Sequence, residues 1–165
     1  MVLKGKARIL GNDINTDYII SGRYKFKTLD NKELASHLLE DLDPEFVKKI
    51  APGDIIIAGK NFGCGSSREQ APLAVQYAGI SAVCAQTFAR IFFRNSINVG
   101  LPLVECDTSG VKEGDEIELD FTGGKLVNIT QKTTVNFKPL PKIMLSILSE
   151  GGLVPYFQKH HQFQL

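Results

Sequence analysis

The sequence predicts an α/β fold, a mostly parallel sheet carrying packed helices and extended by an antiparallel meander, in a single domain spanning residues 1–165. Two observations carry this. Three apolar runs, Ile55–Ala58, Ile80–Ala85 and Leu101–Val104, alternate with helical segments, the pattern of parallel strands buried on both faces. Beyond residue 112 the style changes to short alternating segments separated by turn residues, the mark of hairpins.

In chain order, Lys4 to Leu10 alternates loosely and reads as a first strand, broken at Gly11-Asn12-Asp13. A polar, turn-rich stretch follows. Residues 31–50 have helical character: Asp30 or Asn31 can cap, Leu34, Leu38 and Leu39 share a face, and Pro44 opens a second short helix after Asp43. Pro52-Gly53-Asp54 is a turn into the buried strand 55–58. A glycine loop leads into a helix through Leu73 to Ala78, stopped by Gly79. The second buried strand leads to a helix over Phe88–Asn98, closed by Gly100 before the third strand. Glu116 to Asp120 alternates, Thr122-Gly123-Gly124-Lys125 marks a hairpin, and two further strands complete the meander. Leu140 to Glu150 is a last amphipathic helix, stopped by Gly151-Gly152.

Composition excludes several function classes. A net charge of +1 without runs of like charge gives no footing for nucleic acid or an anionic membrane surface. No apolar run approaches the roughly 18 residues of a membrane span, and Met1–Lys6 lacks the apolar block of a secretion signal. Cys64, Cys84 and Cys106 are odd in number and far apart, which argues against a disulfide framework or a metal site in this chain. A reducing cytoplasm is the expected compartment. Cys84 lies in an apolar run and is expected in the core.

The stretch with chemical content is Gly59 to Pro72, GKNFGCGSSREQAP. It matches neither the phosphate-cradling G-x-x-x-x-G-K-[ST] loop nor G-x-G-x-x-G, because Arg68 stands where the last glycine belongs. It also lacks the G-x-S-x-G elbow of serine hydrolases. A nucleophilic serine wants a histidine base, and the sequence offers only His37, His160 and His161, none of them near the loop in the chain. Pro72 restricts the helix start: a proline fits only the first turn, where no N–H donor is required, so the helix begins between Glu69 and Ala71. Ser66, Ser67 and Arg68 then lie on the loop before it, at the carboxyl end of a buried strand and the positive end of a helix. That is where α/β sheets bind anions, and arginine offers a fork suited to a carboxylate. A tight Gly-Ser turn with a solvated arginine is the plainer alternative.

These residues carry a resemblance. Gly63-Cys64-Gly65-Ser66-Ser67-Arg68-Glu69 resembles the G-x-G-S-S-R-E signature of the aconitase superfamily. Asn15-Thr16-Asp17-Tyr18-Ile19 resembles its T-D-x-I element. Phe88 to Pro102, FARIFFRNSINVGLP, is similar to its F-A-R-I-F-x-R-N-x-I-N-x-G-L-P stretch. The likeness runs from about residue 2 to residue 158, and the short free-standing form resembles the small subunits of isopropylmalate isomerases and archaeal-type homoaconitases.

The resemblance implies the swivelling β/β/α domain of the aconitase C-terminal region and a separate large subunit bearing a [4Fe-4S] cluster. The chemistry would be dehydration and rehydration of a small branched malate, most directly 2-isopropylmalate to 3-isopropylmalate in leucine biosynthesis. Ser66 would be the base, Ser67 and Arg68 would bind carboxylate, and Asp17 would hold a histidine of the partner. The segment after Gly22-Arg23-Tyr24 would set substrate choice. Phe26 facing the substrate would favour an apolar side chain, and Lys25 or Lys27 facing it would admit a third carboxylate. Phe26 as a plain anchor and the lysines as a solvated face remain open. So do homoaconitase-type and 2,3-dimethylmalate dehydratase small subunits, and a non-catalytic carboxylate-binding module. Gln70 departs from the histidine often found there and is read as a change behind the site. Arg90 and Arg94, four apart, could pair structurally, meet the partner or face the substrate. Asn95 and Asn98 are read as helix caps.

Overall fold

The computed structural model describes residues 1–24, 27 and 30–163. The apolar runs form the centre of the molecule. β2 (Ile55–Ala58) and β3 (Ala82–Ala85) are buried at every position. Their side chains alternate between two cores: Ile56, Ala58, Val83 and Ala85 face a helical layer, and Ile55, Ile57, Ala82 and Cys84 face the other side.

The parallel part and the meander belong to one seven-stranded sheet with the order β4-β3-β2-β1-β5-β6-β7. The remaining strands are β1 (Val2–Ile9), β4 (Leu103–Glu105), β5 (Glu116–Asp120), β6 (Lys125–Asn128) and β7 (Thr133–Asn136). β1 joins the two halves. Its residues 7–9 pair parallel with β2, and its residues 2–6 pair antiparallel with β5. β3 runs parallel to β2 and β4, and β5, β6 and β7 are antiparallel.

The helices are α1 (Thr16–Ile19), α2 (Asn31–Ser36), α3 (Phe46–Lys49), α4 (Gln70–Tyr77), α5 (Arg90–Val99), α6 (Lys142–Ser149) and α7 (Leu153–His160), with a 3-10 turn at Gly22–Tyr24. α4 starts where Pro72 requires, with the proline third in the helix. α5 ends on Gly100, whose φ of 89° takes the left-handed conformation that suits glycine.

Two expectations need correction. Segment 31–50 forms two helices as expected, but the first does not carry Leu38 and Leu39 on one face with Leu34. Asp30 caps α2 as expected, its carboxylate accepting the Glu33 N–H at 2.8 Å, but the helix stops at Ser36. Leu39 takes a φ of 56° and its N–H donates to the Ile19 carbonyl at 3.0 Å. This turn sends both Leu38 and Leu39 into the core, where each is fully buried. The helix before Gly151-Gly152 is also not the last. Gly152 precedes α7, and Pro155 is its third residue, where a missing donor costs nothing. α6 and α7 close a third small core around Ile97, Ile147, Leu148 and Tyr156. Among the described residues no helix is long and apolar enough to cross a membrane.

Candidate active site

The carboxyl ends of β2 and β3 lead into two loops that are stitched together. The Phe62 N–H donates to the Thr87 carbonyl at 3.0 Å and the Ala89 N–H to the Phe62 carbonyl at 2.9 Å. The first loop continues as Gly63 to Glu69 and enters α4. The second opens α5. Between them lies a half-open cleft of about 300 Å³, lined by Ser66, Ser67, Arg68, Arg90, Ile91 and Asn95 among others.

Ser66 and Ser67 are exposed on the loop, outside any regular capping role, because α4 takes Glu69 as its N-cap. The Ser67 hydroxyl lies 3.5 Å from the Asn95 amide nitrogen, the outer limit of a hydrogen bond. Asn95 therefore faces the cleft from within α5 and does not cap the helix, which Gly100 terminates. Asn98 is exposed and lines an apolar groove of about 570 Å³ beside the cleft. Arg90 borders both cavities and Arg94 only the groove. Neither makes an ion pair with a described residue.

Arg68 is the least exposed of the three loop residues, its side chain only 10% exposed. One terminal nitrogen pairs with the Asp17 carboxylate, and the other donates to the Ile20 carbonyl at 3.1 Å. Its Nε is buried with no acceptor among the described residues. Asp17, read as the holder of a partner histidine, thus sits beside Arg68 within this chain. α1, which carries Asp17, is tied to the serine loop by three further bonds. The Gly63 N–H donates to the Ile14 carbonyl at 2.7 Å and the Thr16 N–H to the Cys64 carbonyl at 2.8 Å. The buried Thr16 hydroxyl donates to the Ser66 carbonyl at 2.7 Å. Thr16 stands first in the T-D-x-I element, but the motif alone gives its hydroxyl no partner. Asn15 already caps α1, which leaves the threonine hydroxyl for another contact.

A family model of the aconitase C-terminal domain matches residues 14–108, the span that holds α1, the serine loop and α5. Over 165 residues, the whole of both chains, the protein is 53% identical to 3-isopropylmalate dehydratase small subunit 2 of Archaeoglobus fulgidus. The chain belongs to this small-subunit family. It is 51% identical over 158 residues to the 3-isopropylmalate dehydratase small subunit of Caldicellulosiruptor bescii, covering 94% of this chain and 95% of that one. The crystal structure of 3-isopropylmalate dehydratase from Methanocaldococcus jannaschii matches with a TM-score of 0.93 and 46% identity, over 98% of this chain and 96% of that chain. The swivelling β/β/α fold expected from the motifs is therefore that of this chain.

Not every expected residue comes to the cleft. Lys27 is exposed, and its ammonium lies 5.6 Å from the Tyr24 ring centroid, away from the cleft lining. Phe26, with Lys25 and Thr28, lies outside the described residues. No histidine lines the cleft. His37 instead stacks on Tyr24 with centroids 4.1 Å apart, its Nδ1 2.7 Å from Glu40, which disposes of a serine–histidine hydrolase. Glu40 loses its proton more readily than an ordinary glutamate. Partial burial opposes this, but the hydrogen bonds from Tyr24 and His37 outweigh it.

The cysteines do not form a donor set. Cys84 is fully buried within β3, with Cys106 packed against the same core, whereas Cys64 lies on the serine loop. Burial pushes all three thiols upward, and Cys106 up to about 12. Among the described residues, no three histidine, cysteine or acidic side chains come together as a metal site. The residues of this chain do not fit a cluster bound by thiolates.

Proposed function

We propose that the chain is the small subunit of a heteromeric hydro-lyase that interconverts 2-isopropylmalate and 3-isopropylmalate, the isomerisation step of leucine biosynthesis, in the cytoplasm. The observation that carries this reading is Ser66. It stands exposed in a half-open cleft, between the carboxyl end of β2 and the start of α4, with Ser67, Arg68 and Asn95 around it. A cleft of that form is half of a site whose other wall belongs to a large subunit. The names of the relatives support the substrate and the division into subunits.

The reaction removes a carbon-bound proton and a neighbouring hydroxyl, then returns water in the opposite sense. In this reading the [4Fe-4S] cluster, carried by the large subunit, supplies a Lewis acid for the substrate hydroxyl. The residues of this chain do the rest. The Ser66 Oγ, having given up its own proton to solvent before the site closes, takes the carbon-bound proton as the alkoxide and returns it as the hydroxyl so formed. A serine hydroxyl is a weak base precursor, so it needs the cationic Arg68, the loop N–H groups and the start of α4 in a site closed against water by the partner. Ser67 and Arg68 hold a substrate carboxylate, and Asp17 keeps Arg68 in place while offering its exposed side to a histidine of the large subunit. Phe26 is the selector for an apolar substrate side chain, since an apolar wall leaves a third carboxylate unpaired.

The test is anaerobic mixing with a cluster-bearing large subunit, followed by parallel assays on isopropylmalate, homoaconitate-type and dimethylmalate substrates, with Ser66→Ala as control. Turnover confined to isopropylmalate and lost in Ser66→Ala is the expected result. No turnover with any substrate, from a formed complex with an intact cluster, would leave a carboxylate-binding module as the better reading.

A further inference from the structure

We infer that Thr16 is the positioning residue for Ser66: its hydroxyl fixes the Ser66–Ser67 peptide and so sets the direction of the base. This rests on the reading of Ser66 as the base.

The geometry is specific. Thr16 is 2% exposed, and its Oγ1 donates to the Ser66 carbonyl at 2.7 Å from fifty residues away in the chain. The contact is not a helix cap, because Asn15 fills that role with a bond of 2.9 Å to the Tyr18 N–H. Beyond Cys64 the other restraints on the loop run through side chains, Arg68 to Asp17 and the Ile20 carbonyl and Ser67 to Asn95. Gly63 and Gly65 both have left-handed backbones, with φ of 79° and 91°. None of the N–H groups from Gly65 to Glu69 donates to an acceptor among the described residues. The last backbone tether before Ser66 is the Cys64 carbonyl, which accepts the Thr16 N–H. Thr16 thus grips the loop at two points, through its backbone at Cys64 and its hydroxyl at Ser66.

A consequence follows from peptide geometry. The chain has no cis peptide bond among its described residues. In a trans peptide the carbonyl and the following N–H point in opposite directions. Tying the Ser66 carbonyl to Thr16 turns the Ser67 N–H away from α1 and leaves it free for a substrate oxygen. Without the hydroxyl, this peptide can rotate on a glycine-flanked loop, and Ser66 and the Ser67 N–H lose their shared orientation. A small angular error at a proton-transferring group lowers turnover more than binding, because orientation matters most in the transition state.

The experiment uses the reconstituted heteromer with Thr16→Val, which keeps the shape and removes the donor, and Thr16→Ser, which keeps the donor. In Thr16→Val, kcat is expected to fall about tenfold, the scale of one lost hydrogen bond, with KM within about twofold. Thr16→Ser is expected within about twofold of the parent. Hydrogen exchange of the Gly63 and Thr16 amides, whose bonds to the Ile14 and Cys64 carbonyls join the loop to α1, is read by NMR on the isolated chain and is expected to quicken in Thr16→Val and not in Thr16→Ser. Unchanged exchange in Thr16→Val overturns the inference whatever Ser66 does. So does equal impairment of the two variants, which would assign the effect to the lost packing shape. Full turnover by Ser66→Ala instead overturns the base assignment, and the two failures are read separately. Should Thr16→Val not fold, Thr16→Ala against Thr16→Ser makes the same comparison.

Discussion

Asp17 and Arg68 form an ion pair in which the arginine is 10% exposed and the aspartate 57%. The pair is therefore asymmetric. The guanidinium is locked, one end on Asp17 and the other on the Ile20 carbonyl, while the carboxylate still faces solvent. An arginine held this way meets a substrate carboxylate already oriented, with little side-chain freedom left to lose on binding.

The lock predicts a ranking. Arg68→Lys keeps the charge but cannot reach Asp17 and Ile20 together, and kcat/KM is expected to fall about a hundredfold. Asp17→Asn keeps a polar group on the guanidinium but removes the charge, and a loss of about tenfold is expected. Steady-state assays of the reconstituted enzyme decide it. Equal kinetics for Arg68→Lys and the parent would mean that Arg68 is structural only.

Ser66 predicts a separation of stability from activity. Its hydroxyl has no hydrogen-bond partner among the described residues, since its one contact to Thr16 uses the carbonyl. Removing an exposed, unpaired hydroxyl is expected to change unfolding free energy by less than about 0.5 kcal/mol. Removing a proton-transfer group is expected to lower kcat by about 10²–10⁴-fold. Urea unfolding and turnover of Ser66→Ala, measured on one preparation, test both halves. A large stability loss would point to a structural serine.

How much of this was legible in the sequence depends on how local each cause is. The strands 55–58 and 82–85 were readable because burial on both faces forces an unbroken apolar run. The start of α4 was readable because one proline excludes every other register. The serine loop was readable for the same local reason, and its motif resemblance carried the family. The role of β1 was not, since a strand that changes partner midway leaves no local trace of where the meander attaches. α7 was hidden behind Gly151-Gly152, which reads as a stop but serves as a hinge into another helix. The end of α2 was hidden because Leu38-Leu39 suits a helix until Ile19 takes the Leu39 N–H. The contacts of Thr16 and Asn95, both of which stand in the quoted motifs, escaped because their partners, Ser66 and Ser67, lie fifty and twenty-eight residues away.

The two loop glycines predict unequal costs. Both have left-handed backbones, so any side chain is strained there. At Gly63 a methyl group would also sit 2.2 Å from the Phe92 ring, which packs edge-on to Phe62 in the core. At Gly65 the nearest atom would be Thr16 Oγ1 at 3.5 Å, an ordinary contact. Gly65→Ala is expected to cost about 1–2 kcal/mol from backbone strain alone. Gly63→Ala is expected to cost at least about twice that, because Phe92 must move as well. Chemical denaturation of the two variants checks the order, and a reversed order would mean that the loop relaxes away from Phe92.

The cysteines give a prediction in pH. Burial, reinforced by the neighbouring Asp107, pushes Cys106 up to about 12, and burial holds Cys84 well above the ordinary thiol value. Cys64 is raised less, by partial burial first and Asp13 second. Alkylation proceeds through the thiolate, so a raised pKa slows it at any pH below that value. With a pKa near 12, the thiolate fraction of Cys106 at pH 8 is about 10⁻⁴, and it rises about tenfold for each unit of pH up to that point. Iodoacetamide at pH 8 is therefore expected to modify Cys64 first and to leave Cys84 and Cys106 intact in the folded chain. In urea, where burial is lost, all three are expected to react at similar rates. Peptide mapping after timed alkylation reads the order. Rapid native labelling of Cys106 would mean that the packing around β3 and β4 opens far more readily than its burial implies.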